Sequence, residues 1–136
     1  MEVRRLDRDR LGPANNHSQR LMPWDALNAP FEGAWCVVKP GTATTAHAHH
    51  EYEIFIAVSG EAVLSSMGER SPFRAGDLVH FPPHVDHQVI NEGDKDFEMY
   101  AVWWDVPMSD RFTVRQQSEN SIARDRDKSF AMRNEG

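Results

Sequence analysis

A chain of 136 residues with 40% hydrophobic residues is long enough to bury a core and is most simply a single domain. Its formal net charge of −6 argues against a nucleic acid or a membrane surface as partner, because both would favour a basic face. The single cysteine, Cys36, excludes an intrachain disulfide and suits a reducing compartment, and the N-terminus does not resemble a secretory signal. We therefore expect a cytoplasmic protein.

The first 32 residues are predicted to form an N-terminal arm. They are mostly polar and are interrupted by Pro13, Pro23 and Pro30, with scattered apolar residues between. This composition is typical of an irregular segment that lies across a sheet. The arm could also add to the sheet edge of a second copy, so a homodimer is the expected assembly.

Residues 33–107 are predicted to form an all-β domain. Short runs rich in Val, Ile, Phe, Tyr and Trp alternate with turn residues, and no segment before residue 108 has a sustained helical period. This pattern is typical of a sandwich or barrel. The predicted strands are residues 34–40, 43–49, 53–59, 61–66, 76–82, 87–91 and 97–105.

Residues 108–136 are predicted to form a polar tail. The segment has few apolar residues and carries both signs of charge, which is typical of a solvated, disordered or linking segment. A short helix around residues 118–128 is the alternative.

Histidines are concentrated in one part of the chain, with six of the seven between residues 47 and 87. His47 and His49 are two positions apart, so in a strand both imidazoles would lie on one face. Glu53 follows four positions later, and His87 follows the rigid Pro82-Pro83 pair. A lone histidine is more often a surface or hydrogen-bonded residue. Clustered imidazoles on an inward face, however, need a partner such as a divalent metal.

The first group of these residues resembles the first motif of the cupin family. That motif is a glycine, five residues, HxH, three or four residues, a glutamate, six residues and a glycine. The sequence matches it in full, in the order Gly41, TATTA, His47-Ala48-His49, HEY, Glu53, IFIAVS and Gly60.

The second group resembles the second cupin motif, with one departure. The sequence runs Gly76, DLVHF, Pro82-Pro83-His84, VD, His87, QVI and Asn91. His84 stands where the family has a glycine in a turn of positive φ. Histidine tolerates this conformation better than most residues, at a strain of roughly 1 kcal/mol.

The resemblance covers residues 33–107 and implies a double-stranded β-helix, a jelly-roll cupin barrel with a metal near its axis. The arm and the polar tail would flank it. The metal ligands implied are His47, His49, Glu53 and His87, whereas His50 is expected to face away. The same match implies that Gly41, Gly60 and Gly76 are turn residues.

Three imidazoles and one carboxylate would leave two positions of a six-coordinate metal open for water, dioxygen or substrate. The donor set suits Zn, Fe, Mn, Ni or Cu. Phe55 shares the parity of Glu53 in its strand and is predicted to face the pocket. His84 is a candidate near its entrance, and Trp24, Trp35 and Trp103 are expected in the core or an interface. Further candidate pocket residues are His80, Tyr100 and Trp104.

Three functions are consistent with such a site. The first is a metal-dependent enzyme acting on a small organic molecule, as an oxygenase or as a non-redox isomerase or lyase. The second follows from a looser resemblance, carried by the motifs and residues 97–105, to zinc-binding cupin domains of hydrazine-forming synthetases, and it would imply a synthetase-like partner domain. The third is a non-catalytic module that binds a small ligand.

Overall fold

The computed structural model describes residues 1–27 and 29–134, with side chains described as far as residue 124. Residues 1–105 form one unit and the C-terminal helix belongs to a second, and each is described by itself. Two short 3-10 turns, Arg8–Arg10 and Pro13–Asn15, precede the first strand. The elements that follow are β1 (Ser18–Arg20), β2 (Glu32–Val38), β3 (Tyr52–Ser59), β4 (Glu61–Ser66), β5 (Glu69–Arg74), β6 (Leu78–Phe81), β7 (Gln88–Ile90), β8 (Phe97–Trp104) and α1 (Val106–Asn134).

The strands of the first unit form two antiparallel sheets, which confirms the all-β jelly-roll prediction. The five-stranded sheet has the order β1-β2-β8-β3-β6, and the three-stranded sheet has the order β5-β4-β7. One cluster of buried apolar side chains joins them, because it takes members from both sheets. It contains Cys36, Val38, Phe55, Ala57, Ala62, Leu64, Phe73, Phe81, Val89, Phe97, Met99 and Ala101.

The alternation of side chains along β8 separates the inner from the outer face of the five-stranded sheet. Phe97, Met99 and Ala101 are buried, whereas Glu98 and Tyr100 between them are only half-buried. Successive residues of a strand point to opposite faces, so the odd-numbered residues of β8 face inward. This parity decides which side chains of β8 can reach the interior.

Most predicted strands are present, with two differences. Residues 43–49 form no strand and pair only through isolated bridges at Ala43 and His47. Conversely, β5 was not predicted, because in this strand only Phe73 is buried and the remaining side chains are exposed, which removes the apolar signal. The predicted arm contributes the short strand β1, which pairs with β2 along one edge of the sheet.

The glycines of both motifs lie at positions where the backbone φ is positive. Gly41, Gly60 and Gly76 have φ values of +74°, +86° and +95°, which favour glycine over residues with a side chain. At Gly60 a Cβ atom would also lie 2.6 Å from the carbonyl oxygen of Asp96. His84 adopts φ +68°, so the turn that the family fills with glycine keeps its conformation here.

Helix α1 occupies the segment in which a polar tail was predicted, and it extends well beyond residues 118–128. Neither Gly nor Pro occurs between residues 108 and 134, so no helix breaker interrupts it. Within the described part of the chain, no helix is long and apolar enough to cross a membrane.

Candidate metal centre

Four side chains from separate parts of the first unit converge at one place, where Glu53 and His87 are buried, His49 is half-buried and His47 is exposed. They are His47 and His49 in the loop before β3, Glu53 in β3, and His87 directly before β7. One nitrogen or oxygen of each lies within 4.8 Å of the corresponding atom of all the others. Backbone hydrogen bonds between His47 and His87, of 3.3 and 3.0 Å, hold the two loop segments together. The structure thus brings together the four predicted metal ligands.

Each of the three imidazoles has its Nδ1 atom within hydrogen-bond distance of a backbone carbonyl oxygen. Nδ1 of His47 lies 2.8 Å from the carbonyl oxygen of Thr45, and Nδ1 of His87 lies 3.0 Å from that of Val85. His49 makes the same contact with Glu51, at 3.1 Å. A carbonyl oxygen only accepts hydrogen bonds, so in the neutral rings of His47 and His87 the proton is on Nδ1 and the lone pair is on Nε2, whereas both ring nitrogens of His49 lie within hydrogen-bond distance of an oxygen. This arrangement is typical of histidines that bind a metal through Nε2.

The Nε2 atom of His87 shows most clearly that the cluster suits a metal. It is buried and makes no hydrogen bond, although it lies only 2.9 Å from Oε1 of Glu53. The two atoms are close, but they are not aligned as donor and acceptor. Nε2 of His49 lies 3.1 Å from the same oxygen. A buried polar atom without a partner is costly, and a cation between these lone pairs and the carboxylate would remove that cost. The cluster is therefore able to hold a metal ion.

Aromatic rings fix the position of the His87 imidazole. The Phe81 ring stacks on it at 4.6 Å between centroids and 20° between planes. The Phe55 ring meets it edge-on, at 5.4 Å and 82°. Because these rings restrict rotation of the imidazole, its lone pair stays directed toward Glu53.

The centre opens into a cavity of about 420 Å³, which is large enough for a small organic molecule. Its inner wall is formed by Phe55, Met99 and Ala101, all of them buried. Trp103, the next inward residue of β8, lines the same cavity. An apolar wall on one side and polar donors on the other are typical of a ligand-binding pocket.

The N-terminal arm forms another wall of this cavity. Ser18 and Arg20 lie opposite Cys36 and Ala34 in the pairing of β1 with β2, and therefore share their inward face. Asn16 also lines the cavity, and its Oδ1 accepts a 2.7 Å hydrogen bond from the backbone N–H of Thr45. The arm thus extends the sheet at the edge beside β2, and its residues line the cavity on the side of β1.

Phe55 is the one candidate pocket residue that the described cavity lining includes. His80 and Trp104 instead lie against Tyr52, each ring centroid 5.9 Å from the tyrosine ring. Tyr100 packs edge-on against Trp35 at 5.0 Å. Our expectation for His80, Tyr100 and Trp104 is therefore corrected: strand parity directs these side chains to the outer face of the sheet.

His84 and His50 complete the predicted set. Both are exposed and lie outside the described lining of the cavity. His84 acts through its backbone, because its N–H donates a 2.7 Å hydrogen bond to the carbonyl oxygen of His49. The turn at His84 thus supports the loop that carries a candidate ligand, whereas its side chain is not part of the pocket.

Trp103 and Arg20 line the cavity, but sequence analysis placed neither there. Because Glu98 is charged, the even-numbered residues of β8 are expected on the outer face. The odd-numbered residues, which include Trp103, would then face inward. For Arg20 no comparable signal exists, because the inward face of a three-residue strand is set by its pairing with β2.

Cys36 also lines the cavity. Burial, opposed by a hydrogen bond with Ser18 and assisted by the nearby charge of Glu53, raises the pKa of its thiol to about 11. Cys36 is therefore a neutral thiol near pH 7, and the donors of the centre remain three imidazoles and one carboxylate.

With the fold and the centre described, comparison with known proteins defines the class. The cupin-domain family model (Cupin_2) matches residues 34–103. The chain belongs to the cupin family.

Two solved structures are similar to most of the chain. A Cupin 2 conserved barrel domain protein from Salinispora arenicola is 59% identical, with a TM-score of 0.74 over 85% of this chain and 98% of the other. The plu4264 protein from Photorhabdus luminescens is 39% identical, with a TM-score of 0.72 over 85% of this chain and 97% of the other.

Two curated relatives are similar over a shorter region. An oxalate-binding protein from Thermotoga maritima is 34% identical over 64 residues, which are 46% of this chain and 53% of that protein. Gentisate 1,2 dioxygenase 1 from Aquipseudomonas alcaligenes is 31% identical over 70 residues, which are 51% of this chain and 19% of that protein. The chain thus matches about half the length of the first relative and a fifth of the second.

Proposed function

We propose that this protein is a mononuclear metal-dependent enzyme that oxidises a small organic acid with dioxygen. The single observation that carries the proposal is the unpartnered, buried Nε2 of His87 beside Glu53 in a cluster with two further imidazoles. The ligands would be His47, His49, Glu53 and His87, and the metal would be a divalent transition ion, because nitrogen-rich donor sets favour such ions.

The residues of the chain hold and orient this centre. The carbonyls of Thr45, Glu51 and Val85 orient the three imidazoles through their Nδ1 atoms, and Glu53 would supply one negative charge. When bound, a divalent metal supplies a Lewis acid that can accept oxygen donors of a substrate.

The apolar wall of the cavity would limit the access of water to a bound substrate. Phe55 and Met99 are at most 5% exposed, so they would keep water from the inner side of a bound substrate. A dioxygenase of a small aromatic acid is among the relatives, and this likeness supports the oxygen-dependent form of the proposal.

A second candidate function is metal-dependent binding of a small acid without turnover. The similarity to an oxalate-binding protein favours it. The two candidates share the centre and the cavity, and they differ only in whether the bound acid is consumed.

Elemental analysis of protein purified without chelators or added metal is the first test. We expect about one metal ion per chain, and absence of metal even after reloading with Fe, Mn or Zn would contradict both candidates. Iron-loaded protein is then supplied with a panel of small carboxylic acids, with and without dioxygen. Oxygen consumption that depends on an acid supports the enzyme, whereas saturable binding without consumption supports the binding protein.

We also propose that the protein is a cytoplasmic homodimer. Ile56 and Val58 lie in β3 and Leu78 lies in the adjacent edge strand β6, and they are 36, 45 and 60% exposed. Burial of such side chains against a second copy would be favourable. A solution mass that equals one chain at all concentrations would contradict the dimer.

A further inference from the structure

Arg20 is the only arginine that the described lining of the cavity contains. Its inward position follows from the register of β1 on β2, in which Arg20 lies opposite Ala34 and Gln19 lies opposite Trp35. A shift of one residue would direct Gln19 inward instead. The pairing of the arm therefore brings a positive charge to the same cavity as the metal centre.

The guanidinium of Arg20 lies against an aromatic ring rather than a carboxylate. Its Cζ atom is 5.5 Å from the centroid of the Trp103 ring. Among the described residues it forms no ion pair, in contrast to Arg8, Arg70 and Arg74, each of which pairs with an acidic side chain. Stacking restricts the guanidinium while its N–H groups stay available to an anion.

The sheet places this cation on the β1 side of the cavity, whereas the candidate ligand Glu53 is on the β3 side. Trp103 lies directly opposite Glu53 in the pairing of β8 with β3. In the strand order β1-β2-β8-β3, Arg20 and Glu53 are three strands apart, or at most roughly 14 Å between strand axes. Extension of the arginine side chain toward Trp103 shortens this gap to the length of a small molecule.

The charges of the cavity favour an anion at this position. Glu53 faces the imidazoles, and Glu51, which also lines the cavity, is the other acidic residue of the described lining. A divalent metal would more than offset Glu53, so the pocket would have two separate cationic positions, the metal and Arg20. A molecule with a donor group at each end would complement both.

We propose that Arg20, held by the Trp103 ring, is a specificity-determining residue that binds a carboxylate at the end of the substrate remote from the metal. The substrate class is then a small acid that carries a metal-chelating group at one end and a separate carboxylate at the other. This inference rests on the proposed function, because the chelating end requires the metal at His47, His49, Glu53 and His87.

Calorimetric titration of metal-loaded protein with paired probes tests the inference without any measurement of turnover. 2-Oxoglutarate and 2-oxoadipate have a chelating 2-oxo acid and a distal carboxylate. 2-Oxopentanoate and 2-oxohexanoate have the same chelating end and a methyl group instead. We expect at least one dicarboxylate to bind ~10-fold more tightly than its methyl partner, because a charge-assisted hydrogen bond to Arg20 is available only to the former.

Variants of Arg20 and Trp103 separate the effect of the positive charge from the effect of its position. Arg20→Gln should remove the preference, because it lowers the affinity for the dicarboxylates far more than the affinity for the methyl-terminated probes, and Arg20→Lys should restore part of it. Trp103→Leu should weaken the preference, because the guanidinium loses its support. Arg5→Gln is the matched control, since Arg5 is an exposed arginine of the same arm that lies outside the described lining, and it should keep the full preference.

Each outcome is informative. Equal affinity of the wild-type protein for both members of both pairs, or an undiminished preference in Arg20→Gln, would overturn the role of Arg20. Either result would still be consistent with the proposed metal centre if binding of the probes required metal. Failure of all four probes in protein that also takes up no metal would instead contradict the proposed function itself.

Discussion

The same strands build both ends of the barrel interior, but the two ends contain different side chains. The end around Phe97, here the closed end, is mainly apolar, and the end with the candidate metal centre, here the open end, is polar. In β8 the inward residues run from Phe97, which is fully buried, to Trp103, which lines the cavity. In β3 they run from Ala57 to Glu53. The closed end is filled mainly by apolar side chains, whereas the open end buries the Nε2 atom of His87 and the carboxylate of Glu53, which need an external partner. The comparison indicates that one end provides stability and the other end provides the site.

The open end should lose its metal when one ligand is removed. We expect His87→Ala to lower metal affinity ~1000-fold or more, because four ligands together provide the binding free energy and each carries a large share. Competition with a chromophoric chelator measures the change. The control is His50→Ala, which alters an exposed imidazole outside the described lining. An equal loss in both variants would contradict the assignment of faces.

The closed end should respond in stability and not in metal binding. Phe97 is completely buried and packs against Phe73 with ring centroids 5.6 Å apart. We expect Phe97→Ala to lower the free energy of unfolding by about 3–5 kcal/mol, because it leaves a cavity in the core. Urea denaturation of metal-free protein measures this loss. Metal affinity below that of the wild type in the folded variant would show that the two ends are not independent.

The closed end was also the easier end to predict. Its strands alternate clearly, and six of the observed strands coincide with predicted runs to within two residues at each end. The open end depends on loops. His47 and His49 lie outside any named strand, so the alternation of side chains in a strand, which predicted that they share a face, does not apply to them. The motif resemblance, and not periodicity, identified the four clustered residues.

Residues brought to the site by tertiary pairing could not be predicted. Arg20 belongs to a three-residue strand without an apolar period, and its direction is set by the register on β2. Tyr100 and Trp104 were candidates for the pocket, and both parity classes of β8 contain aromatic residues, so residue type alone does not identify the inner face. Only Glu98, which is tolerated on the outer face, distinguishes the classes within the strand.

The closed end also contains a buried polar residue, Asn91, whose side chain forms hydrogen bonds within the protein. Asn91 is 1% exposed; its Nδ2 donates to the carbonyl oxygens of Val38 and Lys95, and its Oδ1 accepts from the N–H of Gly93. We expect Asn91→Ala to cost about 2–3 kcal/mol of stability, because three backbone groups lose a buried partner. Thermal denaturation measures it. Metal affinity should stay unchanged in the folded variant, and a selective loss of metal would place Asn91 functionally with the open end.

The turn at His84 gives the smallest expected effect and tests whether its side chain contributes anything to the open end. His84 adopts φ +68°, and its backbone N–H supports the loop of His49. Replacement by glycine removes the strain of a left-handed residue but adds conformational entropy to the unfolded chain. We expect His84→Gly to raise the free energy of unfolding by about 0.5 kcal/mol, seen as a higher urea midpoint at constant slope. His84→Ala keeps the strain and should show no gain, and weaker metal binding in both variants would reveal a role for the imidazole.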